Sequence, residues 1–80
     1  MPEEVVMPYE LRKHIAIAND MEIAPEIREQ TIKHIARFGS YEALCALLDI
    51  ACNTKASYGE RDLALKVSRD VLKNSRKNDI

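Results

Sequence analysis

Apolar residues recur along this chain every three or four positions, in four stretches divided by short polar segments. In the first stretch, Leu11, Ile15 and Ala18 fall at positions i, i+4 and i+7 and share one face of a helix. Pro8 suits the first position of that helix, because its missing N–H would have no partner there. The pattern predicts a first helix from about Pro8 to Asn19.

The second stretch carries a signal at each end. Pro25 opens it, and Gly39 follows Phe38, its last apolar residue. A glycine at this place commonly adopts the left-handed conformation that closes a helix. The apolar face between these ends is predicted to consist of Ile27, Thr31, Ile35 and Phe38, with Ile32 and Ala36 beside it. A second helix from Pro25 to Phe38 follows.

The third and fourth stretches each follow a serine that can cap a helix. Ser40 precedes the third helix. Its apolar spacing comes from Leu44, Leu47, Leu48 and Ala51. Ser57 precedes the fourth helix and has Glu60 three residues later, which is the capping-box pattern of two reciprocal side chain to backbone hydrogen bonds. The fourth helix is predicted to end at Leu72, its last apolar residue.

The second half of the chain echoes the first at an offset of about 33 residues. The matches are Arg28-Glu29 with Arg61-Asp62 at 33, Tyr9-Glu10 with Tyr41-Glu42 at 32, and Asn19 with Asn53 at 34. A two-helix unit of this length is typical of an α-solenoid. The sequence therefore predicts an all-α fold of four helices in two antiparallel hairpins.

One segment also resembles a known family. Ala24-Pro25-Glu26-Ile27-Arg28-Glu29-Gln30-Thr31-Ile32 resembles the opening of the first helix of a HEAT-like repeat, which reads Pro-x-[Val/Ile]-Arg. Residues 35–44 resemble its tight inter-helix turn, and Leu47-Leu48 its second helix. The match is partial in helix four, where Glu60 replaces the aliphatic residue before the arginine. The resemblance implies a short HEAT-like α-solenoid of about two repeats, in a family that serves mainly as a binding scaffold, although some members resemble bilin lyases.

The arginine near the start of the first helix has a physical role in such a repeat. Its rigid set of donors can reach carbonyl groups or a carboxylate of the adjacent repeat. Arg28 and Arg61 stand at this place in the two repeats. Both are therefore predicted to be structural.

Composition and charge narrow the class of protein. Eighty residues, 46% apolar and 31% charged, indicate one soluble domain, residues 1–80, with residues 1–7 and 74–80 frayed. Twelve basic and thirteen acidic residues argue against a dedicated nucleic-acid binder. No apolar run approaches the roughly 20 residues that span a bilayer, and the acidic start is unlike a signal peptide. The expected compartment is the cytoplasm.

The candidate chemical groups do not form a reactive pattern. Cys45 and Cys52 are seven residues apart on one helix, a rise of about 10 Å, which is too far for a disulfide. His14 and His34 could approach them, but the chain lacks the ligand spacing of a metal site. Nothing marks a strained nucleophile or an oxyanion hole. We therefore expect no catalysis, no metal and no cofactor, and cysteines that pack as small apolar residues.

The predicted function is that of an adaptor or scaffold that binds another protein. In a HEAT-like array, helices one and three would line the concave side. The partner-binding residues predicted there are Arg12, Lys13, Glu42, Cys45, Asp49 and Asn53. Two repeats leave apolar end faces open, so a second copy of the chain or a partner protein should cover one. The predicted contact residues for this are Val6, Leu63, Leu65 and Leu72.

Two other functions remain open. One is a small helical nucleic-acid-binding regulator, with helices two and three as a helix-turn-helix around Gly39. Helix three is very apolar for a helix that would enter a DNA groove. The other is an accessory subunit of an enzyme, which a coloured or metal-bearing purified protein would reveal.

Overall fold

The computed structural model describes residues 8–78, with side chains as far as Asn74, and the described residues form four helices without a strand. These are α1 (Tyr9–Ala18), α2 (Pro25–Phe38), α3 (Tyr41–Ala51) and α4 (Tyr58–Asn78). The predicted all-α class with four helices is confirmed. Across the described residues, no helix combines the length and the apolar character needed to cross a membrane.

The helix ends follow the local signals in the sequence. Gly39 closes α2 with a left-handed φ of 61°, and the Ser40 hydroxyl accepts the N–H of Ala43 at 3.2 Å. At the start of α4, the Ser57 N–H donates to Glu60 Oε1 at 2.8 Å, and the Glu60 N–H donates to Ser57 Oγ at 3.2 Å. The predicted capping box is confirmed.

The fourth helix is longer than predicted, because it continues past Leu72 to Asn78. The apolar pattern stops at Leu72, but no glycine or proline follows, and lysine and arginine favour the last turns of a helix. Part of the segment that we expected to fray is therefore helical. Residues 1–7 and 79–80 lie outside the described residues. Val6, one of the predicted oligomer contacts, is among them.

The helices pack as two hairpins, α1 on α2 and α3 on α4, and α2 joins the hairpins by packing on α4 and α3. The shared core consists of Leu11, Ala18, Ile32, Ile35, Ala43, Ala46, Leu47, Ile50, Ala64 and Val71.

The inward face of α2 differs from the prediction. Ile27 is 53% exposed and Phe38 38% exposed, whereas Arg28 is buried. The face is rotated because an ion pair of Arg28 with α4 draws this side chain inward.

The turns after α1 and α3 have the same hydrogen bonds. The side chains of Asp20 and Asn53 each accept the backbone N–H two residues later, both at 3.0 Å. Their carbonyl groups accept the N–H three residues later, at 3.0 and 3.1 Å. The structural offset is therefore 33 residues, and the predicted match of Asn19 with Asn53 is wrong by one position. Asn19 instead donates to the carbonyl of Ile15.

Candidate functional site

A groove of about 350 Å³ lies between α1 and α3. It exists because α1 packs mainly on α2 and α3 mainly on α4, so that α1 and α3 hardly touch. The residues that line it are Ile15 and Asn19 from α1, and Tyr41, Glu42, Cys45, Ala46 and Asp49 from α3. The two helices thus leave an open channel on one side of the molecule.

The rotation of α3 decides which side chains face this groove. Ala43, Leu47 and Ile50 are buried in the core and fix the helix from its inner side. Helical spacing then places Tyr41, Cys45 and Asp49 in one row, and Glu42 and Ala46 in a parallel row beside it. The groove therefore has a side made of two full turns of helix.

The groove combines apolar surface with negative charge. Ile15 and Cys45 are half-buried and Ala46 is buried, so they form its apolar part. Glu42 and Asp49 carry carboxylates, and of the described residues that line the groove none is basic. The carboxylates are seven residues apart, about 10 Å along the helix axis. The site thus offers an apolar strip between two separated negative charges.

Tyr41 and Cys45 are one helical turn apart on α3, where Tyr41 is exposed and Cys45 is half-buried. Hydrogen bonding and electrostatic interaction with Cys45 raise the pKa of the Tyr41 phenol, and burial and Glu42 raise it further. A raised pKa keeps the phenol protonated. Tyr41 therefore offers the groove a neutral ring and an O–H donor.

The structure brings together three of the six predicted partner-binding residues, Glu42, Cys45 and Asp49. The other three lie elsewhere. Arg12 and Lys13 are exposed on α1, and the cationic group of each lies 5.9 Å from the centroid of the Tyr9 ring.

Asn53 is the remaining member of that set, and it lies in the turn after α3. Its side chain accepts the N–H of Lys55 and so stabilises the turn. Four residues of the groove were missed: Ile15, Asn19, Tyr41 and Ala46. The i, i+4, i+8 spacing of Tyr41 with Cys45 and Asp49 would have found the tyrosine. The contribution of α1 has no local signal, because it depends on how the hairpins pack.

The predicted oligomer contacts differ in their exposure. Leu65 is 44% exposed and Leu72 is 47% exposed on α4. Leu63 is half-buried and packs against the core of its own chain. Val6 lies outside the described residues. Of this set, Leu65 and Leu72 present apolar surface to the outside.

Arg28 and Arg61 make the contacts predicted for structural arginines. Arg28 Nε and Nη2 donate to the two carboxylate oxygens of Glu60, the second at 3.2 Å, and Nη1 donates to the carbonyl of Ile23 at 2.7 Å. Arg61 Nε donates to the carbonyl of Ala51 at 3.2 Å. Each arginine thus links its helix to the end of the preceding helix or to the turn before it, and Arg28 also links α2 to α4.

Glu60 is the buried residue that sequence reasoning assigned only a capping role. Its side chain is 1% exposed. Burial alone would raise the pKa of its carboxyl group, but hydrogen bonds from Arg28 and from the Ser57 N–H outweigh burial and lower the pKa. Glu60 is therefore an ionised side chain with two roles: it caps the start of α4 and it links α4 to α2 through Arg28.

The two histidines meet at the α1–α2 contact. The rings of His14 and His34 lie edge to face, with centroids 5.3 Å apart. His14 Nδ1 is buried without a hydrogen-bond partner in the described part of the chain. Within residues 8–78, no three His, Cys, Asp or Glu side chains are grouped so that they could hold a metal ion.

Comparisons with known proteins give no relative. No protein-family model, no curated protein and no solved structure matches the chain. The HEAT-like resemblance stays a prediction.

Proposed function

We propose that this chain is a protein-interaction module without catalysis of its own, and that its α1–α3 groove binds a basic, amphipathic segment of another protein. One observation carries the proposal: an apolar strip lies between the carboxylates of Glu42 and Asp49, and no basic residue of the described chain lines it. Charge complementarity therefore favours an occupant with lysine or arginine side chains on an apolar backbone segment.

The dimensions of the groove specify this occupant further. Two carboxylates about 10 Å apart suit basic residues seven positions apart on a helix, because residues at this spacing lie on the same helix face. The aliphatic stems of lysine and arginine can cover Ile15 and Ala46 while their charged groups reach the carboxylates. The exposed ring of Tyr41 adds a surface for a cation.

The same features weigh against nucleic acid as the partner of this surface. Phosphate groups would face the carboxylates of Glu42 and Asp49, whereas nucleic-acid sites present lysine and arginine to the backbone. Cys45 and Cys52 are free thiols, which supports a reducing compartment such as the cytoplasm. An adaptor or scaffold working there is the function that these observations favour.

Titration calorimetry with a synthetic amphipathic peptide of leucine and lysine tests this proposal. We expect the peptide to bind, and the matched peptide with glutamate in place of lysine not to bind. Glu42→Gln with Asp49→Asn should weaken binding about tenfold, because it removes two partly exposed ion pairs. The control is Glu26→Gln with Asp70→Asn, which removes the same charge from exposed positions outside the groove. Equal binding of both peptides, or equal loss in both double variants, would contradict the proposal.

A further inference from the structure

The outer face of α4 carries an apolar stripe that nothing in the described chain covers. Tyr58, Leu65 and Leu72 are 85%, 44% and 47% exposed and follow one another at intervals of seven residues. A seven-residue interval drifts by only about 20° around a helix, so the three side chains lie nearly in line over about 21 Å. This spacing is that of the contact seam between two paired helices.

Two opposite charges lie along the same stripe. Asp62 and Arg69 alternate with the apolar residues, and both are exposed. Neither forms an ion pair with another described residue. The stripe thus presents, in order, an aromatic residue, an acid, a leucine, a base and a leucine.

The 33-residue offset relates this open face to a buried one. Leu65 occupies the position that Ile32 holds in α2, where the isoleucine is fully buried. Beside Leu65, a shallow groove of about 220 Å³ opens between α3 and α4. Its lining residues are Ala51, Tyr58, Arg61, Asp62 and Leu65. This groove therefore offers a site beside Leu65 for a side chain from a second molecule.

We propose that α4 pairs with α4 of a second copy of this chain, antiparallel and about a twofold axis. The stripe is complementary to itself in this orientation. When Asp62 lies opposite Arg69 of the second copy, symmetry places the Arg69 of this chain opposite the other Asp62. In the same register Leu72 of the second copy lies opposite Gly59, next to the groove between α3 and α4.

A parallel pair would lack this complementarity. It would place Asp62 opposite Asp62 and Arg69 opposite Arg69, and like charges across a helix pair repel. The antiparallel pair shares no residue with the α1–α3 groove, so the inference stands independently of the proposed function. It also gives Leu65 and Leu72 a specific contact, whereas Leu63 faces its own core.

Sedimentation equilibrium of the full chain, from micromolar to near-millimolar concentration, tests the pairing. The wild-type chain should form a dimer. Asp62→Arg alone and Arg69→Asp alone should each weaken self-association about tenfold, because each change turns two attractive pairs into repulsive ones. An equimolar mixture of the two variants should associate again, and so should the double variant. Asp70→Arg, an exposed position on α4 away from the stripe, is the control and should keep the dimer.

Four results would overturn the proposal. The first three are a wild-type chain that stays monomeric over this range, a dimer that survives Leu65→Asp, and single charge variants that do not recover on mixing. Open-ended assembly would indicate head-to-tail contacts and would also contradict it. Circular dichroism of each variant separates loss of pairing from loss of folding. The charge variants should still bind the leucine–lysine peptide. This measurement distinguishes failure of the dimer proposal from failure of the proposed peptide binding in the α1–α3 groove.

Discussion

Arg28 shows how a single charged side chain can organise a small core. It is buried, and its guanidinium group joins the turn after α1, through Ile23, to Glu60 on α4. A buried ion pair is weak evidence for stability in itself, because both charges lose their water. Removing one partner is costly, however, since the other charge stays buried and uncompensated.

Arg28→Ala should therefore destabilise the fold strongly. We expect the free energy of unfolding to fall by about 3–5 kcal/mol, which is most of the stability of a domain of this size. The measurement is urea unfolding followed by circular dichroism. Arg37→Ala, an exposed arginine on the same helix, is the matched control and should change stability by less than about 0.5 kcal/mol. Similar losses in both variants would contradict the structural role of Arg28.

Through Glu60, the free energy of unfolding should depend on pH. Its pKa is lower in the folded chain than in the unfolded chain, so its contribution is complete above the ordinary glutamate value of about 4.3 and is lost as the pH falls through the folded value. Glu60→Gln keeps an acceptor for the Ser57 N–H but removes the charge. We expect lower stability at neutral pH and a shallower decline below about pH 5. Unfolding curves at several pH values measure both, and parallel pH profiles would count against this account.

These residue contacts were only partly predictable. The arginines follow from the repeat pattern, and the capping box follows from Ser57 and Glu60 themselves. The Arg28–Glu60 contact joins residues 32 positions apart. The capping box already explained why a glutamate stands at position 60, so nothing in the sequence indicated a second partner. A partner in a distant helix leaves no mark on the local sequence.

At the scale of the helices, the ends that a glycine or a serine marks were predicted better than the faces. Glycine, serine and the capping box act within a few residues, so their effect can be derived from the sequence alone. The predicted inward face of α2 was wrong by about one position, because Arg28 rather than Ile27 is buried against α4. The rotation of a helix is set by its neighbours, and the apolar pattern of α2 is wide enough to allow both orientations.

The two glycines should respond to alanine with opposite signs. Gly39 has a φ of 61°, and a β-carbon there would meet no atom within 4 Å, so Gly39→Ala suffers backbone strain alone, about 1–2 kcal/mol. Gly59 lies in the first turn of α4, where a β-carbon would make ordinary contacts at 3.4 and 3.9 Å. Gly59→Ala should stabilise the fold by about 0.4–1 kcal/mol, because it restricts the unfolded chain. Thermal unfolding measures both, and equal signs would contradict the assigned backbone conformations.

At the scale of the whole molecule, both proposals depend on surfaces that the packing of the helices leaves open. The α1–α3 groove lies between the two hairpins and the α4 stripe lies on the outside of the second, and each combines apolar side chains with charges that form no ion pair within the described part of the chain. Sequence analysis predicted three groove residues, because they share one face of α3. It missed Ile15 and Asn19, since the approach of α1 is decided by how both hairpins pack on α2.

We propose above all that the groove between α1 and α3 binds a basic segment of another protein. Nuclear magnetic resonance of the nitrogen-15-labelled chain, titrated with the leucine–lysine peptide, tests it most directly. We expect shifts of the backbone amides of Ile15, Asn19 and residues 41–49, while residues 62–72 of α4 stay unchanged at a fixed chain concentration. Shifts centred on α4, or no shifts at peptide excess, would contradict it.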